Sequence, residues 1–252
     1  MSHHRVEMRK VSYIYPDGTT GISDVSMLLR HGESVGIIGA NGAGKSTLLM
    51  LLLGILFPAA GEVLVGDVHV TPKTVSSIRQ RVGLVMQQAD DQLFMTTVYD
   101  DVAFGPRNEG LNEQEVAEKV KAALETVGLA HLGGRAPYKL SGGEKKSASI
   151  ATVLAMEPDV LLMDEPTAGL DPQARRRLIR LLNRFTHTKI ITSHDLDMIM
   201  DTCDRVLVLK DGELVGDGAP LALLSNSTQM EEWGLELPLS LMNCPNCGAQ
   251  KK

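Results

Sequence analysis

Two stretches of this chain carry residue types suited to phosphate chemistry. Gly39-Ala40-Asn41-Gly42-Ala43-Gly44-Lys45-Ser46-Thr47 fits the pattern G-x-x-x-x-G-K-[ST]. Its glycines let backbone N–H groups approach phosphate oxygens with no Cβ in the way. Lys45 falls in the first turn of the helix expected to follow, where a cation opposes the helix dipole. A bound polyanion reverses that penalty. Ser46 is placed to bind Mg2+. The second stretch, Val160-Leu161-Leu162-Met163-Asp164-Glu165, is an apolar run ending in two carboxylates. Beside a phosphate loop, a strand-end aspartate helps to hold Mg2+, which assigns Asp164 to the metal. Glu165 is then the general base or water-orienting group for attack on a γ-phosphate.

Two further features join them. Leu140-Ser141-Gly142-Gly143-Glu144 puts a hydroxyl and flexible backbone at a helix start, a second anion-binding terminus on one chain. Ser141 could simply cap that helix. A cap does not need Gly142 and Gly143, because glycine in a first turn weakens a helix. His194 follows an apolar run in Thr192-Ser193-His194-Asp195, and a γ-phosphate contact is its expected role.

The elements that position these residues alternate. Val6 to Tyr15 and Val25 to Leu29 read as strands around a Pro16-Asp17-Gly18 turn. Ser34 to Ile38, Glu62 to Val65, Val82 to Val85, Val160 to Met163, Lys189 to Thr192 and Val206 to Leu209 read as further strands. Asp211-Gly212 makes a hairpin turn before Glu213 to Val215. From Asp90 to Gly134 the character is helical: Asn112 with Glu115 forms a capping box, and Val116, Val120, Leu124 and Val127 share one face, read as core. Another helix runs from Gly143 toward Met156. Pro172 opens a basic helix with Arg175, Arg176, Arg177 and Arg180, read as a solvated face. Strands alternating with helices give an α/β core around a mostly parallel sheet, with the helical middle inserted into it.

Composition narrows the function classes. The chain has 252 residues, 43% of them hydrophobic, enough for a packed core. Its net charge of −6 offers no basic excess for nucleic acid, and 4% aromatics argue against base stacking. The longest apolar run, Leu48 to Phe57, is about half the ~20 residues a membrane span needs. Met1 to Lys10 is polar and charged and reads as no signal peptide. A soluble, cytoplasmic protein is the expectation.

The order Gly39–Thr47, Gln87, Leu140–Glu144, Val160–Glu165, Ala168-Gly169-Leu170-Asp171 and His194 resembles the ATP-binding-cassette ATPase family, over about residues 5 to 225. The resemblance implies a phosphate-loop NTPase core with a mostly parallel sheet, an N-terminal antiparallel β-subdomain and an inserted α-helical subdomain at about 88–156. A tail, 226–252, follows. It implies ATP and Mg2+ as cofactors and a head-to-tail dimer. In that dimer ATP lies between the phosphate loop of one subunit and Ser141-Gly142-Gly143 of the other, with Asp171 reaching across. It also implies that Gln87 senses Mg2+ and the attacking water, and that Tyr15, rather than its rival Tyr13, stacks on adenine.

A narrower resemblance rests on Tyr15-Pro16-Asp17-Gly18, Asp90-Asp91-Gln92-Leu93-Phe94, Asp101-Val102-Ala103-Phe104-Gly105-Pro106 and Ala155-Met156-Glu157-Pro158. These look like the energy-coupling-factor branch, and most of all its cobalt/nickel importer ATPase. That implies a subunit peripheral on the inner face of the cell membrane. Its partners would be a second ATPase subunit, identical or paralogous, a transmembrane scaffold protein that meets the Asp90–Phe94 segment, and a substrate-binding membrane protein. The alternative for Asp90–Phe94 is an acidic turn with two buried apolar residues. Ser147 departs from the family, which usually has arginine there, and Gln88-Ala89 replaces a frequent Asn-Pro. Alternatives of function are a mechanical ATPase on DNA or ribosomes, disfavoured by the single compact cassette and by the charge, and the same importer with a vitamin cargo.

Cys244-Pro245-Asn246-Cys247 is a C-x-x-C in a turn, able to supply one side of a tetrahedral Zn2+ site. A complete site needs further ligands or a second chain. A nickel or cobalt contact, a redox pair and no defined role stand beside it.

Overall fold

The computed structural model describes residues 5–242, so Cys244 and Cys247 lie outside the described residues. The chain begins with β1 (Val6–Ile14), β2 (Thr20–Leu29), β3 (Ser34–Ile38), α1 (Lys45–Leu52), β4 (Ala60–Val65), the two-residue β5 (Val68–His69) and α2 (Val75–Arg81). Its middle holds β6 (Val82–Val85), α3 (Val98–Asn108), α4 (Glu113–Thr126), α5 (Gly142–Leu154), β7 (Val160–Asp164) and α6 (Pro172–Leu182). It closes with β8 (Thr188–Thr192), α7 (Leu196–Thr202), β9 (Arg205–Lys210), β10 (Glu213–Gly218), α8 (Pro220–Leu224) and α9 (Ser227–Glu232). The chain forms two compact units: Gln80–Phe185, and the segments before and after it.

The outer segments build two sheets. One is antiparallel, in the order β2-β1-β4-β5. In the other, β3 runs parallel to both β8 and β9, and β10 returns antiparallel along β9. Every residue of β3 and β8 is buried. That is the pattern of central parallel strands, which read as unbroken apolar runs because both faces are covered. α7 packs on β3 through Ile199, which a Cβ on Gly36 would meet at 2.8 Å, and Leu48, Leu51 and Leu52 of α1 and Met198 of α7 are buried as well. Each such side chain contributes about 1.5–3 kcal/mol when fully buried. The β9–β10 turn has φ +49° at Asp211 and +83° at Gly212, as the two-residue hairpin requires. β2 begins five residues earlier than the sequence suggested. Met230 and Trp233 are buried, and the Trp233 ring lies so near β10 that a Cβ on Gly216 would meet it at 3.1 Å.

In the middle unit β6 and β7 pair in parallel, Val82 opposite Val160 through Val85 opposite Met163. α5 packs directly on β6, since a Cβ on Gly83 would collide with Val153. Each long helix here has a side-chain cap: Thr97 for α3, Asn112 for α4, Ser141 for α5 and Asp171 for α6. Val98, Val102, Val116, Val120, Leu124, Ala148 and Ala151 form the core between α3, α4 and α5. Val127 stands just past the end of α4, half-buried against that core. Two of the short sequence strings also meet, because Gly105 has no side chain where Met156 approaches (2.6 Å to a would-be Cβ).

Candidate functional site

The phosphate loop leaves β3 and enters α1 through two glycines that no other residue could replace. Gly39 has φ +155°, and a Cβ there would strike the Leu209 carbonyl. Gly44, the residue before α1, has φ +102°, and its Cβ would stand 2.5 Å from the Gly21 carbonyl. The loop is thus squeezed between the start of β2 and the end of β9. Gly42, at φ +80°, faces open space, and Asn41 and Ser46 are exposed. Ala43 is buried, and its carbonyl accepts from the Gly212 N–H at 3.2 Å.

Lys45 is buried, and its ammonium folds back across the loop. Nζ donates to the carbonyls of Gly39 (2.8 Å) and Ala40 (3.1 Å) and lies 3.2 Å from Nε2 of the exposed His194. Those acceptors offset the unfavourable placement of a cation at the head of α1. Thr47 is buried one residue from the exposed Ser46, and its Oγ1 shares a 2.7 Å hydrogen bond with the Tyr15 hydroxyl. Tyr15 is half-buried and meets Tyr13 edge to face, with ring centroids 5.0 Å apart. Tyr15 rather than Tyr13 is therefore tied to the start of α1.

In the middle unit, Asp164 closes β7 and Glu165 follows it, both half-buried. Glu165 has φ +44°, a backbone conformation that costs a non-glycine residue about 1–3 kcal/mol and concentrates at functional sites. Gln87 is exposed just beyond β6, but its carbonyl is not free. Lys146, 3% exposed, donates from Nζ to the carbonyls of Met86 (2.9 Å) and Gln87 (2.7 Å). Burial pushes the Lys146 ammonium down to about 8, while the Asp164 carboxylate pulls it back up. Sequence reasoning passed over Lys146, because one of two adjacent lysines carries no signal of burial.

Ser141 does cap α5. Its hydroxyl accepts from the Glu144 N–H and the Glu144 carboxylate answers to the Ser141 N–H, a complete capping box. The Ser141 N–H and hydroxyl, both within donating distance of the carboxylate at 2.7 and 2.8 Å, hold the Glu144 carboxyl below its usual range. The two glycines differ. A Cβ on Gly143 would stand 2.7 Å from the Ala174 Cβ, so packing of α5 on α6 demands glycine there. Gly142 has ordinary backbone angles and nothing within 4 Å, so the fold leaves its glycine unexplained. Asp171 caps α6 by accepting from the N–H groups of Gln173 and Ala174 at 2.8 and 2.9 Å. Arg176, Arg177 and Arg180 are exposed, as expected of a solvated face, whereas Arg175, read with them, is half-buried.

The middle unit also carries an exposed aromatic pair. Phe94 is 63% exposed and meets the partly exposed Phe104 edge to face, centroids 5.1 Å apart. Leu93 beside it is buried. The reading of Asp90–Phe94 as a turn with two buried apolar residues therefore fails at Phe94. Asp101 holds that turn, because its Oδ1 accepts from the N–H groups of both Phe94 and Met95 at 2.9 Å.

Residues 22–168 match the family model described as ABC transporter. A Geobacter sulfurreducens protein, named provisionally as an ABC transporter ATP-binding protein, is 54% identical over 98% of this chain and 100% of its own length. The chain belongs to the ATP-binding-cassette (ABC) transporter family. The energy-coupling factor transporter ATP-binding protein EcfA of Methanothermobacter thermautotrophicus is 47% identical over 92% of this chain and 76% of its own. Among solved structures, cbiO1 from Clostridium perfringens, described as part of the ABC transporter complex cbiONQ, superposes with a TM-score of 0.82. It shares 37% identity over 90% of this chain and 93% of that one. A dimeric ATP-binding cassette in a post-hydrolysis state with ADP and Pi gives a TM-score of 0.77 at 26% identity, over 85% of this chain and 98% of that one. The cassette is thus an ABC ATPase of the energy-coupling-factor type, with the α/β phosphate-loop fold the sequence implied. It binds ATP, and its reaction is ATP hydrolysis.

Proposed function

We propose that this ATPase is the motor subunit of an energy-coupling-factor importer for cobalt or nickel ions, peripheral on the inner face of the membrane. The observation that carries the importer reading is the exposed Phe94–Phe104 pair, seven residues beyond Gln87 and held in place by Asp101. An aromatic pair left in water costs solubility unless an apolar partner covers it. A helix of the transmembrane scaffold is that partner. No helix among the described residues is long and apolar enough to cross a membrane. The cobalt or nickel cargo rests on the resemblance of the four short strings.

The proposed division of labour rests on the family resemblance and on the chemistry of each residue type. The amides of Gly39–Thr47 and the Lys45 ammonium hold the β- and γ-phosphates, and Tyr15 stacks on adenine. Ser46, Gln87 and Asp164 supply hydroxyl, amide and carboxylate oxygens, the hard donor set that suits Mg2+. The metal, when bound, neutralises charge on the phosphate oxygens. Glu165 accepts the proton of the attacking water, and His194 contacts the γ-phosphate. Ser141, Gly142 and Gly143 close on the nucleotide of a second copy or paralogue, with Asp171 reaching across that interface. The space at Gly142 supports this reading, because no residue of its own unit fills it. We retain the cassette at 5–225, its helical part at about 88–156 and the tail at 226–252 as the working division.

Extraction of the membrane complex through this subunit tests the importer reading. Recovery of an integral scaffold protein is expected, and lost when Phe94 and Phe104 become serine. Recovery of ribosomes or DNA with no membrane protein contradicts it.

A further inference from the structure

Lys146 poses a problem that nucleotide chemistry does not answer. It is 3% exposed, yet carries a charge that burial disfavours. A buried ammonium is poor evidence of stabilisation, since an apolar residue of similar volume often serves stability better. What the ammonium does here is local and specific. It donates to two consecutive carbonyls, Met86 at 2.9 Å and Gln87 at 2.7 Å. Two successive peptide groups are thereby held in one orientation, and the Gln87 side chain leaves from between them.

Two further links run along the same helix, at intervals of three and four residues. The Gln92 side chain accepts from the Met86 N–H at 3.0 Å and donates to the Ser149 carbonyl (2.9 Å) and the Thr152 hydroxyl (2.7 Å). The Lys145 ammonium meets the Asp90 carboxylate at 2.6 Å. The Asp90 contact is largely exposed and contributes little by itself. Lys146 differs because its own side chain is buried, so its ammonium has little water to turn to in place of the two carbonyls.

We propose that Lys146 is a positioning residue for hydrolysis: it locks the Met86–Gln87 backbone to α5, so that the Gln87 side chain and the Ser141-Gly142-Gly143 terminus of that helix move as one body. The inference rests on the reading of Gln87 as the residue that senses the metal and the attacking water. Without the lock, ATP still binds at the phosphate loop, and Gln87 reaches its working position in a smaller fraction of encounters.

The test uses the full chain. Lys146→Met removes the donors and keeps an unbranched stem. Turnover is expected to fall about 10- to 100-fold, the cost of a misplacement near 1 Å, with KM for ATP unchanged. Lys146→Arg restores most of the turnover. In nucleotide-free protein, amide hydrogen exchange accelerates over residues 86–92 and is unchanged in α1. In a Gln87→Ala background, Lys146→Met adds no further loss, because both act through one side chain. Multiplying losses in the double variant overturn the lock while leaving Gln87 in its role. Wild-type turnover in Gln87→Ala removes Gln87 from catalysis and the lock with it. Wild-type turnover or unchanged exchange in Lys146→Met overturns the lock alone. Should Lys146→Met fail to fold, Lys146→Gln, too short to reach both carbonyls, is read against the same outcomes.

Discussion

The Lys45 ammonium lies 3.2 Å from Nε2 of His194, across 149 positions of sequence. An ammonium only donates, so Nε2 accepts and the imidazole proton sits on Nδ1. To donate to a phosphate oxygen through Nε2, the imidazole must release Lys45 and carry its proton on the other nitrogen. This pair therefore connects the residue proposed to bind the β- and γ-phosphates with the residue proposed to contact the γ-phosphate.

The two should fail differently. Lys45→Ala removes a charge-assisted contact of about 1.5–3 kcal/mol, which weakens ATP binding about 10- to 100-fold. His194→Ala should leave Kd for ATP nearly unchanged and lower kcat about 10²- to 10³-fold, as expected for loss of a group that stabilises developing charge. Equilibrium binding and steady-state turnover measured on both variants separate these outcomes. A loss confined to Kd in His194→Ala would make the histidine a mere support for Lys45.

The two glycines before Glu144 also make opposite predictions. Gly143→Ala drives a Cβ to 2.7 Å from that of Ala174. It should destabilise the protein by about 1–3 kcal/mol, the usual range for overpacking, less the gain from better helix propensity. Gly142→Ala meets nothing, and should stabilise by up to about 1 kcal/mol while impairing dimer closure. Denaturation midpoints of the two variants check this, and equal shifts would refute the packing argument.

Asp101 predicts a pH dependence. Burial pushes its carboxyl above the ordinary range, helped by the neighbouring Asp100 charge and opposed by the N–H groups of Met95 and Phe94. The folded chain therefore holds the Asp101 proton more tightly than the unfolded chain. Stability from this group is complete below about pH 4, the unfolded value, and is lost as pH rises through the folded value. Asp101→Asn has no such proton. Its Oδ1 can still accept from Phe94 and Met95, and its amide replaces Oδ2, which is buried without a hydrogen-bond partner among the described residues. The variant should thus gain stability relative to wild type as pH rises from 4 to neutrality. Urea midpoints across that interval measure it, and a constant difference would contradict the assignment.

Chemistry that depends on short, local patterns was legible in the sequence. The loop around Lys45, the strand ending at Asp164, the Asn112–Glu115 box and the Asp211-Gly212 turn are each fixed by a few adjacent residues, whose backbone needs are nearly unique. Features decided by distant neighbours were not. Lys146 is buried because α5 lies against β6, and Gly143 is needed because α6 passes Ala174 beside it. The exposure of Phe94 depends on Asp101 pinning its backbone. Helices α2, α8 and α9 have seven residues or fewer, too short to show a periodicity and stabilised by packing rather than propensity. Trp233, beyond α9, is an example, since its partner is a glycine on β10.

The central claim is that ATP is enclosed between two copies of this cassette, each contributing a different end. Glu165→Gln keeps the shape of the side chain and removes the proposed base, so turnover should fall about 10²- to 10⁴-fold with ATP still bound. Light scattering on that variant at saturating Mg-ATP is the most direct measurement. The account predicts a molecular mass twice that of the 27.2 kDa chain, reverting when ATP is withdrawn. A mass that stays at one chain with ATP bound would contradict it.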